Sequence, residues 1–186
     1  MTDRELFNTY NKEVYRTCLY MLGNPMDAED ICQEVFIRAF RQDWQKIEYV
    51  RSWLLKIAVN QANSFLRKKQ FSQTKQRMLE AFYQKETSSP VSKMIEDDET
   101  KTEFTQLLQK LPVKMRAAIT LRYLNDLSLS EAAEVLNIPV GTVKSRLHKG
   151  LKLLYKEMKK EDGKHARCTR EDRPSSSHHQ QKEAKA

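Results

Sequence analysis

Lys144, Ser145, His148 and Lys149 recur at a spacing that gathers them on one face of a helix, with Lys152 extending the row. Ammonium groups attract phosphate, and Lys and Ser side chains donate hydrogen bonds to base acceptors in a major groove. Thr142, with the N-terminus of the same helix, is suited to holding a phosphate. A second polar row, Lys56, Asn60, Asn63 and Arg67, also follows helical spacing. An Asn amide both donates and accepts, which suits the reading of base edges. A third row has the opposite sign. Asp30, Gln33, Glu34 and Ile37 share an outward stripe, with Asp27 near the start of their helix, where its charge favours the helix dipole. An acidic stripe beside an apolar residue repels polyanions and suits a protein surface.

Each row also has a plainer reading as a solvated face, and for the acidic one a Glu34–Arg38 pair would suffice. What favours function is the setting. The chain has 186 residues and a net charge of +8, with acidic residues clustered early and again at Glu96–Glu99, and basic ones at Arg67–Lys69 and from Lys144 onward. Separate patches of opposite sign point to more than one partner, one of them polyanionic. Hydrolytic and transfer chemistry finds no footing. No grouping of carboxylates, His or Cys could hold a catalytic metal, and no glycine-rich phosphate loop is present. The H-x-x-C formed by His165 and Cys168, near His178 and His179, lacks a second Cys pair, so neither metal nor cofactor is expected. Cys18 and Cys32 lie among apolar residues at helical spacing and read as reduced core positions. No apolar run reaches the roughly 20 residues of a membrane span, and "MTDRELFNTY" lacks the apolar stretch of a secretory signal. A cytoplasmic chain is expected.

The elements that must position these rows are helical. Only four Gly and five Pro, with many Leu, Lys, Glu and Gln, favour helix over strand. Hydrophobic residues make up 39% of the chain and the mean hydropathy is −0.74, which suits small helical units better than one large core. One helix spans about Asp3 to Leu22, with Leu6, Tyr10, Val14, Cys18 and Met21 on a stripe. It ends at Gly23-Asn24, and Pro25 suits the first turn of the next, which turns Ala28, Ile31, Cys32, Val35 and Ala39 inward. A third runs from about Val50 to Lys69, with Trp53, Leu54, Ile57, Ala58 and Phe65 inward. Residues 1–70 thus make one bundle. Residues 71–100, polar around "KETSSPVSK", read as a linker. Residues 101–160 recover helical patterning, and 161–186, nearly devoid of large apolar residues, are expected to be disordered.

Within 101–160, Ser128-Leu129-Ser130-Glu131 fits a capping box, and Ala132, Ala133 and Leu136 give a narrow inner face. Asn137 stands where the chain must turn, since after Gly it takes the left-handed conformation best. Pro139, Val140 and Gly141 then launch the basic helix, whose other face carries Val143, Leu147, Leu151 and Leu154. A small-residue helix, a short turn and a donor-rich helix make a helix-turn-helix.

The segments "DAEDICQEVFIRAF", "WLLKIAVNQANSFLRKK" and "LPVKMRAAITLRYLNDLSLSEAAEVLNIPVGTVKSRLHKG" resemble, in order, regions 2.2, 2.3–2.4 and 4.1–4.2 of the extracytoplasmic-function (group 4) sigma factors of bacterial RNA polymerase. The resemblance covers about residues 5–158. It implies an all-α protein of two small helical bundles, sigma2 and sigma4, held apart on a flexible linker. They would recognise the −10 and −35 promoter elements while bound to core polymerase, with no enzymatic activity and no small-molecule substrate.

In that frame Asp27, Asp30, Gln33, Glu34 and Ile37 would meet the clamp helices of the β′ subunit. Lys56, Asn60, Asn63 and Arg67 would meet the −10 element. The loop with Trp44, Lys46 and Tyr49 would capture an unstacked base, as aromatic residues can. Trp53, on the apolar stripe, is expected in the core. Lys144, Ser145, His148 and Lys149 would read the −35 element, while Thr142 and Arg146 hold phosphate. Arg116 and Arg122 would lie near DNA or the β flap. The family often has Arg or an aromatic residue where His148 stands. A membrane-anchored anti-sigma factor and a role in stress response are implied as well. The alternative is a dimeric DNA-binding regulator acting on a palindrome without polymerase, to which an acidic helix and a second, separate polar row contribute nothing.

Overall fold

The computed structural model describes residues 1–82 and 99–171, with side chains described for 1–72, 74 and 103–160. Every regular element among them is helical: α1 (Asp3–Leu22), α2 (Pro25–Phe40), a 3-10 turn (Trp44–Lys46), α3 (Val50–Phe82), α4 (Glu99–Gln109), α5 (Val113–Ile119) continuing into a π-turn (Thr120–Leu124), α6 (Leu129–Leu136) and α7 (Val140–Glu171).

The ends of these helices follow local chemistry. Thr2 and Glu5 close a capping box on α1, which stops where Gly23 adopts φ 73°, a left-handed value that glycine takes without penalty. Asn24 then caps α2 through its side-chain oxygen, and Pro25 occupies the first turn, where a missing N–H costs nothing. The expected inward residues of α2 (Ala28, Ile31, Cys32, Val35 and Ala39) are all buried, and α1, α2 and α3 pack on one another as a bundle. Trp53 and Phe65 are half-buried against that core. Cys18 and Cys32 are free thiols inside it, and burial raises both out of the reactive range, Cys32 to about 11.

Two features depart from the periodicity argument. Helix α3 runs 33 residues to Phe82, well past Lys69, and α7 reaches Glu171, past Lys160. Residues 83–98, which include most of "KETSSPVSK", and 172–186 lie outside the described residues. Second, Leu151 is 41% exposed, whereas Val143, Leu147 and Leu154 are buried. The residue that faces α5 in its place is Gly150, where a Cβ would come within 2.8 Å of Ile119 Cδ1. A stripe at 143, 147, 150 and 154 keeps phase with 3.6 residues per turn, and 151 drifts off it.

Helices α4 to α7 form a second bundle in which α5 and α6 both lie on α7. The two bundles do not stand apart. The C-terminal half of α1 lies against α4 and the π-turn, and α3 lies against α6, so their buried apolar residues form one continuous cluster.

Candidate nucleic-acid interface

The helix-turn-helix assembles as its residue types dictate. Ser128 Oγ accepts from the Glu131 N–H, and Glu131 Oε2 accepts from the Ser128 N–H at 2.7 Å. These hydrogen bonds to Ser128 hold the Glu131 carboxyl below its usual range. Asn137 ends α6 at φ 51°, and its N–H together with that of Ile138 returns to the carbonyls of Ala133 and Glu134. Ala132, Ala133 and Val135 are buried, so α6 approaches α7 closely.

This turn points α7 outward. Lys144, Ser145, His148, Lys149 and Lys152 are all exposed, while Thr142 and Arg146 are half-buried. Ser145 Oγ donates to the Gly141 carbonyl at 3.0 Å, which leaves its lone pairs free to accept. Among the described residues, no ion pair engages Lys144, Lys149 or Lys152. Exposed ammonium groups without intramolecular partners give up nothing inside the protein when they meet phosphate.

On α3, Lys56, Asn60 and Arg67 are exposed and Asn63 half-buried. Asn60, Asn63, Ser64, Arg67 and Gln70 line a cleft of about 460 Å3 whose far side is Val113 and Lys114 of α5. Asn63 Oδ1 is buried there with no hydrogen-bond partner. The asparagine row is therefore on the surface, but its middle is flanked by the second bundle.

The loop before α3 corrects one expectation. Trp44 is 4% exposed, and its Nε1–H donates to Asp3 Oδ1 at 2.8 Å. An indole ring with a satisfied N–H gains most by burial, so Trp44 is a structural post here and offers no face to stack on a base. Tyr49, 70% exposed, keeps a free aromatic face. Lys46 pairs with Asp43 at 2.7 Å, both almost fully exposed. Trp44 instead helps wall a hollow of about 220 Å3 with Asp3, Phe40, Gln42 and Lys46.

The acidic helix also divides. Asp30, Gln33 and Ile37 are exposed on one stripe of α2, and Met26, 75% exposed, continues it by one more turn. Composition alone did not single out Met26; the spacing from Asp30, Gln33 and Ile37 would have. Asp27, by contrast, is ion-paired with Lys69 of α3 at 2.8 Å, and Glu34 with Arg38 at 3.3 Å. These two acids have intramolecular partners that any docking surface must displace or include.

Arg116 and Arg122 are not at a surface for DNA. Arg116 is 5% exposed and donates to the carbonyls of Met21, Gln109 and Leu111; burial lowers its pKa to about 10. Arg122 donates to the Leu127 carbonyl at 3.0 Å and steadies the turn into α6. Sequence reasoning missed a third polar cluster, Glu13, Thr17, Arg51 and Asn125, because its members lie far apart in the chain and share no periodic face. His165 and Cys168 fall outside the residues whose side chains are described, and no group of metal-ligating residues occurs among the described ones.

Comparison with known proteins agrees in order and extent. The family "Sigma-70 region 2" matches residues 6–72, and "Sigma-70, region 4" matches residues 101–154. Over 164 residues the chain is 35% identical to the ECF RNA polymerase sigma factor SigW of Bacillus subtilis (strain 168), covering 83% of this chain and 88% of that relative. It is 35% identical over 155 residues to RNA polymerase sigma factor SigV of the same organism, covering 82% and 89%. The sigma factor RpoE from Bartonella quintana, solved in complex with the anti-sigma factor NepR, superposes with a TM-score of 0.65 at 19% identity, over 84% of this chain and 96% of that one. CnrH, solved with the cytosolic domain of CnrY, superposes at 0.59 and 19%, over 84% and 87%. At such identities the structural likeness shows the fold.

Proposed function

The chain belongs to the extracytoplasmic-function group of the sigma-70 family, and we propose that its three surface rows divide the work of promoter-specific initiation. It is an RNA polymerase sigma factor, a regulator of transcription initiation that binds core polymerase and promoter DNA. The proposal concerns which residues do what, and that the chain has no catalytic activity of its own.

Residues 101–160 act as sigma4. Lys144, Ser145, His148 and Lys149 lie in the major groove of the −35 element, and Thr142 and Arg146 anchor on its backbone. Residues 1–70 act as sigma2, with Lys56, Asn60, Asn63 and Arg67 on the −10 element. Tyr49 stacks on an unpaired base, and Lys46 draws in the phosphate beside it. The cost of unstacking, a few kcal/mol per base, is offset by stacking and hydrogen bonds available only to the open strand. Asp30, Gln33 and Ile37, extended by Met26, dock on the polymerase. Because two structural neighbours were solved with anti-sigma factors, a partner of that kind is proposed to control this chain too.

The observation that carries the reading is the exposed lysine row on α7, free of ion pairs among the described residues and aimed outward by the Asn137 turn. Run-off transcription with core polymerase on genomic fragments tests it. A promoter-specific transcript that requires this chain is expected. Binding to a palindrome with no dependence on polymerase would replace it with the dimeric-regulator reading.

A further inference from the structure

Helix α1 ends with carbonyls that have no partner within the helix, and its last turn contains no basic side chain. The second bundle supplies what is missing. Gln109 Nε2 donates to the Tyr20 carbonyl at 2.9 Å, and Arg116 Nη1 to the Met21 carbonyl. The guanidinium thereby lies at the negative end of the α1 dipole. The fit is close, for a Cβ on Gly23 would lie 2.5 Å from Gln109 Cδ. Phe104 meets Tyr20 edge-on at 6.3 Å between centroids.

A second clasp lies farther along α1. Arg51 of α3 and Glu13 of α1 form a bidentate pair, 2.6 Å at its shortest, within the first bundle. That pair receives Asn125 from the second bundle. Arg51 Nη2 donates to the Asn125 carbonyl, and Asn125 Nδ2 donates to Glu13 Oε1 at 3.1 Å and Thr17 Oγ1 at 3.0 Å. Asn125 is 4% exposed, so its amide was desolvated to make these bonds.

Resting on the sigma-factor reading, we propose that Gln109, Arg116 and Asn125 form a built-in latch on α1 that holds the free factor closed, with the second bundle against the Asn63 stretch of the −10 row, until core polymerase draws the bundles apart. The seam is rich in hydrogen bonds to carbonyls and amides, which water can replace at small net cost, so it can open reversibly. Closure leaves Asn63 Oδ1 buried and unsatisfied beside Val113 and Lys114, and opening gives that acceptor back to solvent or to a base. A cleft of about 460 Å3 admits no strand of several nucleotides.

The test uses the full chain in two assays. Small-angle scattering on the free protein compares wild type with Gln109→Ala/Asn125→Ala, and with Arg51→Lys, which retains the charge opposite Glu13 but not the forked geometry that reaches Asn125. Far-UV circular dichroism confirms that helix content is retained. Wild type is expected to be compact and both variants expanded. Their apparent affinity for core polymerase should rise several-fold, because the competent fraction is larger. Should the double variant lose helix, Arg51→Lys alone decides. Wild type as expanded as the variants, or variants as compact as wild type, would overturn the latch. Promoter-specific transcription at saturating core is a separate readout. Its failure removes the sigma-factor reading whatever the scattering shows, and its persistence with unchanged scattering removes only the latch.

Discussion

The indole N–H of Trp44 donates to Asp3 Oδ1 at 2.8 Å, tying the loop before α3 to the first turn of α1. This bond separates the two aromatic residues of a loop in which both had been expected to serve DNA opening. Trp44→Ala should destabilise the fold by about 3–5 kcal/mol, as loss of a buried aromatic ring does. Tyr49→Ala should leave the denaturation midpoint within about 0.5 kcal/mol of wild type but slow promoter opening. Permanganate reactivity of unpaired thymines measures the second effect, and urea titration the first. Equal loss of stability in both variants would count against the assignment.

Lys149 is exposed and, among the described residues, without an ion pair. Lys149→Ala should therefore weaken holoenzyme binding to promoters with a −35 element and flatten the dependence of log K on log salt by about 0.9. Affinity for core polymerase should not change. A titration of binding against potassium chloride reads the slope directly.

Ile37 is 50% exposed on the stripe that runs from Met26 through Asp30 and Gln33. Ile37→Asp changes a residue that the fold does not bury, so helix content and thermal midpoint should hold. Binding to core polymerase should fall at least about tenfold, because a charge at the centre of an apolar contact is desolvated without a partner. Surface-plasmon resonance against immobilised core gives the number; unaltered affinity would place the docking surface elsewhere. Glu34→Ala is the weaker probe, since Glu34 is already engaged by Arg38.

Glu131 supplies a pH dependence. Its hydrogen bonds to Ser128 hold its carboxyl below the model-compound value of 4.5, so the carboxylate is favoured in the folded state. A depressed acid contributes stability above its unfolded value, and that contribution is lost as pH falls through the folded one. Amide protection at the start of α6 should therefore decline below about pH 4.5. Glu131→Gln, which retains a capping-box residue, should remove this part of the decline. Ser128→Ala should cost about 1 kcal/mol at neutral pH. Native-state hydrogen exchange distinguishes the three proteins.

Much of this architecture was legible from short-range chemistry. Capping boxes, the Gly23 and Asn137 turns and the apolar stripes are decided within a few residues, and each lies where its pattern placed it. The surface rows were legible for the same reason, since a helical period assigns a face. What escaped depends on residues distant in sequence. Trp44 reads as a loop aromatic until Asp3 is brought beside it, and Arg116 reads as a surface cation until Met21 offers a carbonyl. Leu151 was misplaced because spacing by fours outruns the true period by position 151, and a glycine could take the place facing α5.

The most direct test is a nuclease footprint of holoenzyme, assembled from core polymerase and this chain, on a promoter found by run-off transcription. Wild-type chain should protect both elements, and Lys144→Ala/Lys149→Ala should lose protection at −35 while retaining it around −10. Simultaneous loss of both, or equal protection by the chain without polymerase, would contradict the division of labour among its helices.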